Sequence, residues 1–206
     1  METIRANYKI FPEKAASIET AGTNFYNEIK SAYDQLTSLN DAWKGVRYVD
    51  LAKSFNNLVA DLNTIIEDVS TDIPTTLRTI ASNYGNFDMG SFSAGSAGTA
   101  SKISELNVPS DDAIYFDFPS VDSARTAIAE KFTESKTYIT EAKNIVSGML
   151  DNGDWAGQAA NSAMDKLTNY ESKINSSLDD LIDEFKTAMD KTVEDITKAE
   201  NANTAS

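Results

Sequence analysis

The groups in this sequence best suited to chemistry are two neighbouring acidic pairs, Asp179-Asp180 and Asp183-Glu184. Asp180 and Glu184 are four residues apart, so a helix would place both carboxylates on one face, where they could bind a metal ion or transfer protons. The 206-residue chain has no His and no Cys, which excludes a Ser-His-Asp triad, a cysteine nucleophile and a thiolate zinc site. Nothing else of a catalytic site accompanies these carboxylates, and a solvated acidic face is the favoured interpretation. We predict that the protein is not an enzyme and holds no metal or cofactor.

The composition is that of an acidic chain with enough apolar residues for a core. Hydrophobic residues make up 41% of the sequence, and 32 acidic against 18 basic residues give a formal net charge of -14. Such a chain lacks a basic footprint, which argues against binding to nucleic acid or to an anionic membrane surface. No apolar run approaches the ~20 residues that span a bilayer, so we predict no membrane span. The first residues lack the basic and apolar regions of a secretory signal peptide, which indicates a cytoplasmic protein or one exported by another route.

Both tryptophans of the chain are followed by a glycine two positions later, as Trp43-Lys44-Gly45 and Trp155-Ala156-Gly157. Each W-x-G motif separates two long segments of helical periodicity, which predicts the turn of a helical hairpin. In such a turn a large ring fills the space at the helix ends, and Gly allows close backbone approach. This structural role is favoured for Trp43, whereas for Trp155 a role in recognition is an equally good interpretation.

Apolar residues recur at steps of three and four on both sides of each W-x-G motif, which is the pattern of amphipathic helices. The first helix should begin at Phe11-Pro12, where a proline in the first turn costs no hydrogen bond, and end near Asn40. Pro74 should kink or break the second helix near Asp72-Ile73, because proline lacks an N–H and clashes with the carbonyl four residues earlier. The buried stripe of the first helix is predicted to be Ile18, Ala21, Phe25, Ile29, Ala32, Leu36 and Leu39, and that of the last helix includes Phe185, Met189, Val193 and Ile196.

The second half of the chain repeats the first. Residues 6–12 and 113–119 share the pattern A-x-Y-x-x-F-P, and after the tryptophans the halves align without a gap. The aromatic residues of these two segments should pack over helix ends. Between the halves, small residues and glycines without periodicity predict a linker. The predicted divisions are a first hairpin over 1–83, a linker over 84–118, a second hairpin over 119–200 and a disordered tail over 201–206.

Two hairpins that cannot bury their stripes alone should pack on each other, so we predict an all-α fold in which two hairpins pack antiparallel as a four-helix bundle. The linker of about 35 residues favours the antiparallel arrangement, because the chain must then travel the length of the bundle; a tolerated insertion is the alternative. This packing would bring Trp155, Gly157, Tyr84 and Asp88 into one surface patch, and Trp43 beside the C-terminal tail. A linker of this length would also permit a domain-swapped dimer.

Two long helices, a W-x-G turn and no signal peptide resemble the WXG family, the small substrates of type VII (ESX-type) secretion in Gram-positive bacteria and mycobacteria. The resemblance covers residues 8–83 and 115–199, so the chain is similar to two such units fused. It implies an antiparallel four-helix bundle, export without a cleaved signal peptide, and function through protein contacts. A secretion ATPase and a co-exported protein are the candidate partners that it implies.

The same family carries an export signal of the form Y-x-x-x-[D/E] just past the second helix of one unit. Tyr84-Gly85-Asn86-Phe87-Asp88 matches immediately after the predicted second helix, so Tyr84 and Asp88 are the candidate signal residues. With eight Tyr and 32 acidic residues about one chance match is expected, so only the position of the match supports it. A signal inside a linker departs from the family pattern of a free tail. We expect a protein that is secreted without a cleaved signal peptide and is cytoplasmic before export; the alternative is a cytosolic helical adaptor or chaperone that holds a partner protein.

Overall fold

The computed structural model describes residues 5–110 and 114–204, and at Arg5 the backbone alone. Within these ranges the fold is all-α, and four long helical segments, the second of them interrupted by a π-helical turn, pack against each other as in a four-helix bundle. No helix in the described ranges is both long and apolar enough to cross a bilayer. The elements in chain order are β1 (Arg5–Ala6), α1 (Phe11–Leu39), β2 (Trp43–Lys44), α2 (Val46–Glu67), a π-helical turn (Asp68–Asp72), α3 (Ile73–Met89), β3 (Tyr115–Phe116), α4 (Phe118–Asp151), β4 (Trp155–Ala156) and α5 (Gln158–Thr204).

The first helix follows the sequence pattern closely. α1 begins at Phe11 and ends at Leu39, which confirms the predicted start and the predicted end near Asn40. All seven residues of its predicted stripe are buried, each with 2% or less of its surface exposed. Burial of this contiguous apolar face is the main stabilisation of such a helix, because helix propensity alone is marginal in water.

The interruption predicted near Pro74 takes the form of a π-helical turn between α2 and α3, not of a break in the helix. The N–H of Ile73 donates to the carbonyl of Asp68, which is five residues earlier rather than four. Pro74 then lies in the first turn of α3, and the hydrogen bond over five residues interrupts the regular pattern at the point where a proline cannot donate. The helical path therefore continues past the proline instead of ending there.

The end of α3 differs from the sequence prediction. The helix continues to Met89, six residues into the stretch predicted as linker, and Gly85 is a buried helical residue. Tyr84 and Asp88 therefore lie within the last turns of α3, and the prediction that they follow the helix in a linker is wrong. The helix ends at Gly90, which has a left-handed φ of 77° and donates its N–H to the carbonyl of Asn86. Gly85 and Gly90 cannot be distinguished as helix-ending residues by residue type. Only Gly90 ends the helix, because only Gly90 adopts the left-handed backbone conformation.

The fold divides into two compact units, and each is built from segments of both halves of the chain. Among the described residues, the first unit comprises 5–28, 61–102 and 134–175, and the second comprises the remaining residues. Each unit contains one W-x-G turn and has its own buried core. The largest fully buried side chains are Phe11, Ile18, Phe25 and Trp155 in the first unit, and Ile29, Leu36, Trp43, Tyr48, Leu51, Phe55, Phe132 and Phe185 in the second.

Residues 91–110, which we call the strap, have no regular secondary structure but are fixed to helices of both units. In the first unit, the N–H of Gly98 donates to Glu19 Oε1 at 2.7 Å. In the second unit, the side-chain amide of Asn56 makes two hydrogen bonds to the backbone of Leu106, at 3.0 and 2.7 Å. The buried residues of the strap are Ala94, Ile103 and Leu106. Much of the predicted linker is therefore held against the helices rather than free.

Near the C-terminal end of α5 the predicted stripe is wrong at Val193. This residue is 37% exposed, and the neighbouring Thr192 is buried instead. Thr192 lies three residues after Met189 and four before Ile196, so the 3.6-residue period of the helix passes through it. Val193 is apolar and adjacent to the buried stripe, but it does not belong to it.

The tail also differs from its prediction. The sequence predicts disorder over 201–206, but α5 continues through Thr204, whose hydroxyl donates to the carbonyl of Glu200 at 3.2 Å. Residues 205–206 lie outside the described ranges. A helix can extend beyond its packed face because each added residue forms one more backbone hydrogen bond after nucleation is complete.

Candidate functional site

Each W-x-G turn forms a two-residue antiparallel strand pair with a segment from the other half of the chain. We call the β2–β3 pair the Trp43 bridge and the β1–β4 pair the Trp155 bridge. The opposed residues are Trp43 with Phe116 and Lys44 with Tyr115 in the Trp43 bridge, and Trp155 with Ala6 and Ala156 with Arg5 in the Trp155 bridge. The Trp43 bridge lies within the second unit, and the Trp155 bridge lies within the first.

The glycines of the two motifs adopt a backbone conformation that residues with a side chain rarely reach. The φ angle is 122° at Gly45 and 113° at Gly157. Each glycine directly precedes the first residue of a helix, and its carbonyl accepts the N–H of a residue in the first turn, from Val49 in α2 and from Asn161 in α5. The motif glycine thus turns the chain out of a bridge and into a helix.

The repeated A-x-Y-x-x-F-P segments meet the two turns in different registers. α1 and α4 begin at the equivalent residues Phe11 and Phe118. The residue opposite the tryptophan is Ala6 in one bridge but Phe116 in the other, five and two positions before the helix start. A turn at residues 8–10 accounts for the three-residue difference. The sequence repeat therefore aligns the helix starts but not the bridges, and Ala113, its first residue in the second half, lies outside the described ranges.

Trp43 is the centre of an aromatic cluster in the second unit, and its side chain is fully buried. It stacks on Phe185 with ring centroids 5.7 Å apart and an interplanar angle of 26°. The rings of Phe116 and Tyr48 lie 5.5 and 6.3 Å from it. Aromatic pairs of this kind contribute about 0.5–1.5 kcal/mol each beyond the area they bury. The geometry around Trp43 is that of a packed core, which supports the structural interpretation of this residue.

Because of Tyr48, which belongs to the same cluster, we expect the stability of the protein to change with pH in the alkaline range. Its hydroxyl donates to the carbonyl of Leu36 at 3.0 Å, and burial, together with the nearby carboxylate of Asp41, raises the pKa of Tyr48 to about 12. The unfolded chain has the ordinary tyrosine pKa of about 10, so the folded state binds this proton more tightly. The resulting stabilisation is complete below about pH 10 and is lost as the pH rises toward about 12.

We expect the free energy of unfolding to fall by about 2–3 kcal/mol through this group between about pH 9 and pH 12. The Tyr48→Phe variant should lack this part of the pH dependence, and Tyr26→Phe should retain it. Urea titrations of the three proteins at several pH values measure the difference. An identical pH dependence in Tyr48→Phe and the unchanged protein would contradict the assignment.

Trp155 has fewer aromatic contacts in the first unit than Trp43 has in the second. Its ring meets Phe11 with centroids 5.8 Å apart, and its side chain is 2% exposed. It borders a groove of about 300 Å³, which is also lined by Ala6, Ile80 and Tyr84. This W-x-G turn therefore forms part of the wall of an open groove, and Trp155 has one aromatic neighbour where Trp43 has three.

The structure brings together most of the residues that the sequence grouped into one patch. Trp155, Gly157 and Tyr84 line the same groove, and Tyr84 is 40% exposed. Asp88 lies one helical turn beyond Tyr84 on α3, and its carboxylate accepts a hydrogen bond from Tyr8 at 2.5 Å. Tyr8 was not singled out in the sequence, although the A-x-Y-x-x-F-P repeat contains it.

The Trp43 bridge borders a larger groove of about 460 Å³ in the second unit. Its lining includes Val46, Ile114 and Tyr115, which are 52%, 83% and 50% exposed. Ala199 and Glu200 of α5 complete it, so the last turns of this helix lie where the sequence placed the C-terminal tail. Exposed apolar residues around a concave surface are typical of protein-binding sites.

A buried carboxylate at the π-helical turn is a feature that the apolar pattern did not indicate. Asp68 is 6% exposed and accepts hydrogen bonds from the Lys166 ammonium, at 3.0 and 2.9 Å, and from the Tyr170 hydroxyl. Burial alone would raise the pKa of Asp68, but the hydrogen bonds from Tyr170 and Lys166 outweigh it and hold this pKa below its ordinary value. Burial and the hydrogen bond with Asp68 raise the pKa of Asp72. The cluster fixes the π-helical turn to α5 by charge-assisted hydrogen bonds.

The acidic pairs at 179–180 and 183–184 lie on the exposed face of α5. Glu184 accepts a hydrogen bond from the hydroxyl of Ser54 at 2.7 Å. In the part of the chain that the structure describes, no group of three or more acidic residues could hold a metal ion. The exposure of these carboxylates is that of a hydrated helix surface.

The structure is a helical bundle in which the turn of each hairpin forms a short strand pair with a segment from the other half of the chain. Comparisons with protein-family models, with curated proteins and with solved structures give no match to this chain. The function is therefore argued from the turns, the grooves beside them and the residues at their walls.

Proposed function

We propose that this protein is a secreted, non-enzymatic helical-bundle protein that serves as a substrate or carrier of a type VII secretion system in a Gram-positive bacterium. The observation that carries the proposal is the groove at the Trp155 bridge, where a W-x-G turn and Tyr84 of the other hairpin form one surface. Two W-x-G hairpins that complete each other are the arrangement expected of two fused WXG units. The protein acts through contacts with other proteins.

The surface around this groove has the composition of a protein contact site. Tyr84 and Phe87 are exposed at the end of α3, by 40% and 92%, and Trp155 forms the adjoining wall. Aromatic residues supply a large share of the binding energy in protein interfaces. The partner in this proposal is the secretion ATPase, which reads the Trp155 turn together with Tyr84 and Asp88. A co-exported protein is the other candidate partner.

The export route is tested in the source cell. The extracellular amount of the protein is compared between the parent strain and a strain that lacks its type VII ATPase, with a cytoplasmic protein measured in both media to correct for lysis. We expect the extracellular protein to disappear without the ATPase while its cytoplasmic pool grows. Equal extracellular amounts in the two strains would refute the proposal.

The Tyr84→Ala variant should be exported about tenfold less than the unchanged protein, because truncation of an aromatic contact residue commonly costs a large part of the binding energy. Its stability should change by less than about 1 kcal/mol, since Tyr84 is 40% exposed. Immunoblots of medium and cells measure export, and urea unfolding measures stability. Tyr138→Ala, at a partly buried tyrosine of α4 outside the groove, is the matched control and should be exported normally. Undiminished export of Tyr84→Ala would show that Tyr84 is not part of a signal.

The larger groove at the Trp43 bridge favours a second candidate function, a cytosolic helical adaptor or chaperone that holds a partner protein. Its rim of exposed apolar residues could receive an apolar segment of such a partner. Affinity purification from the source cell discriminates between the two functions. One stoichiometric cytosolic partner, without an extracellular pool of the protein, would favour the adaptor.

A further inference from the structure

Two segments of the first unit converge on the last turns of α3, which carry Tyr84 and Asp88. The segment before α1 supplies Tyr8, whose hydroxyl donates to Asp88 Oδ2 at 2.5 Å. The start of the strap supplies Phe92, whose ring meets that of Tyr8 edge to face, with centroids 5.3 Å apart and an interplanar angle of 85°. Tyr8 therefore contacts both the carboxylate of the candidate signal and the chain that follows it.

Phe92 covers the neighbouring face of the same helical turns. A Cβ placed on Gly85 would lie 2.4 Å from Cγ of Phe92, so the ring rests directly on the helix backbone at the glycine. The N–H of Phe92 also donates to Asn86 Oδ1 at 2.6 Å. As a result, Gly85 is buried although the residues on both sides of it are exposed. We call Tyr8 and Phe92, with these contacts, the clasp.

The clasp is also tied to the Trp155 turn. The residue before Tyr8, Asn7, donates its N–H to the carbonyl of Asp154 at 2.7 Å and its side-chain amide to Asp154 Oδ1 at 2.9 Å. The second half is arranged differently, because Tyr115, the repeat counterpart of Tyr8, lies in β3 opposite Lys44 and is 50% exposed. The contacts of Tyr8 thus belong to the W-x-G turn that shares a groove with the candidate signal.

We propose that the clasp is an autoinhibitory contact that withholds Asp88 from the secretion machinery and opens when that machinery binds. The inference rests on the proposed function. A partner that requires the Asp88 carboxylate must displace the Tyr8 hydroxyl, so it binds only molecules with an open clasp, and its apparent affinity is reduced by the open fraction.

The test uses the full chain with two variants that weaken the clasp from opposite sides. Tyr8→Phe removes the hydroxyl that binds Asp88 and keeps the ring, and Asn86→Ala removes the acceptor of the Phe92 N–H. Tyr26→Phe is the matched control. It deletes the same atom from a tyrosine of α1 whose hydroxyl makes no hydrogen bond to any described residue. Each protein is measured by amide hydrogen exchange over residues 84–92 and by its ATPase-dependent export rate.

We expect faster exchange over residues 84–92 and an export rate raised about fivefold in both clasp variants, which is the effect of losing one net hydrogen bond. The control should match the unchanged protein in both measurements.

Faster exchange with unchanged or lower export would show that the clasp does not inhibit export. ATPase-dependent export of the unchanged protein would still support the proposed function. Unchanged exchange in both variants would show that these contacts do not hold the segment. Export that is independent of the ATPase would overturn both proposals. If Tyr8→Phe loses helicity, Asn86→Ala decides.

Discussion

Replacement of Trp43 by alanine should lower the free energy of unfolding by about 3–5 kcal/mol, which is the usual cost of deleting a buried tryptophan or phenylalanine. Trp43 is fully buried, and three rings from different parts of the second unit pack on it. Removal of the indole leaves a cavity among Phe185, Phe116 and Tyr48 that a core at crystal-like density cannot fill by relaxation. Urea unfolding followed by circular dichroism gives the loss as a shift in the midpoint.

The matched control for Trp43→Ala is Phe87→Ala, an aromatic truncation at a residue that is 92% exposed. This variant should stay within about 0.5 kcal/mol of the unchanged protein. Trp155→Ala should fall between the two, because Trp155 is about as buried as Trp43 but packs against one ring instead of three. A loss of less than about 1 kcal/mol for Trp43→Ala would show that the aromatic cluster does not stabilise the fold.

Gly22→Ala should destabilise the protein by about 1–3 kcal/mol, although alanine is the better helix former by about 1 kcal/mol. A Cβ at this position of α1 would lie 2.5 Å from the hydroxyl oxygen, 2.6 Å from the backbone nitrogen and 2.9 Å from Cα of Ser70. Ser70 belongs to the π-helical turn, which Asp68 fixes to α5, so the backbone there cannot move away at low cost. The overpacking term exceeds the gain in helix propensity and decides the sign.

Gly148→Ala provides the opposite case within the same chain. Gly148 is an interior residue of α4, and apart from the local backbone of its own helix a Cβ there would meet no atom of the described residues within 4 Å. Alanine should therefore stabilise the protein by about 0.5–1 kcal/mol, through helix propensity and a smaller entropy of the unfolded chain. Urea titration of both variants tests the pair. Stabilisation by both substitutions would mean that α1 and the π-helical turn can separate without cost.

The sequence predicted the helices well because their stabilisation is periodic. Every residue of the α1 stripe is buried, and Pro74 marks the interruption of the second helix, because a missing N–H has a local effect that does not depend on tertiary structure. The errors lie at the ends of helices. Val193 and the extension of α3 to Met89 depend on packing or on the conformation of one glycine, and composition does not report either.

The bridges and the clasp could not be predicted in the same way. A two-residue strand has no periodicity, and each bridge joins the two halves of the chain, so no local pattern identifies the partner. The repeated A-x-Y-x-x-F-P segments were the available signal, but aligned by sequence they give registers that differ by three residues. The contact of Tyr8 with Asp88 depends on that difference, because the turn at residues 8–10 exists in the first half alone.

The bridges also determine when the W-x-G turns are completed during folding. Trp43 meets Phe116 across 73 positions of the chain, and Trp155 meets Ala6 across 149. Contacts over such separations form after local ones, because closing a long loop reduces the conformational entropy of the chain before the new contact stabilises it. During synthesis, moreover, the Trp155 bridge forms only after residue Ala156 has left the ribosome. A partner that recognises the completed turn would thus select folded molecules over nascent chains that have not yet reached this turn.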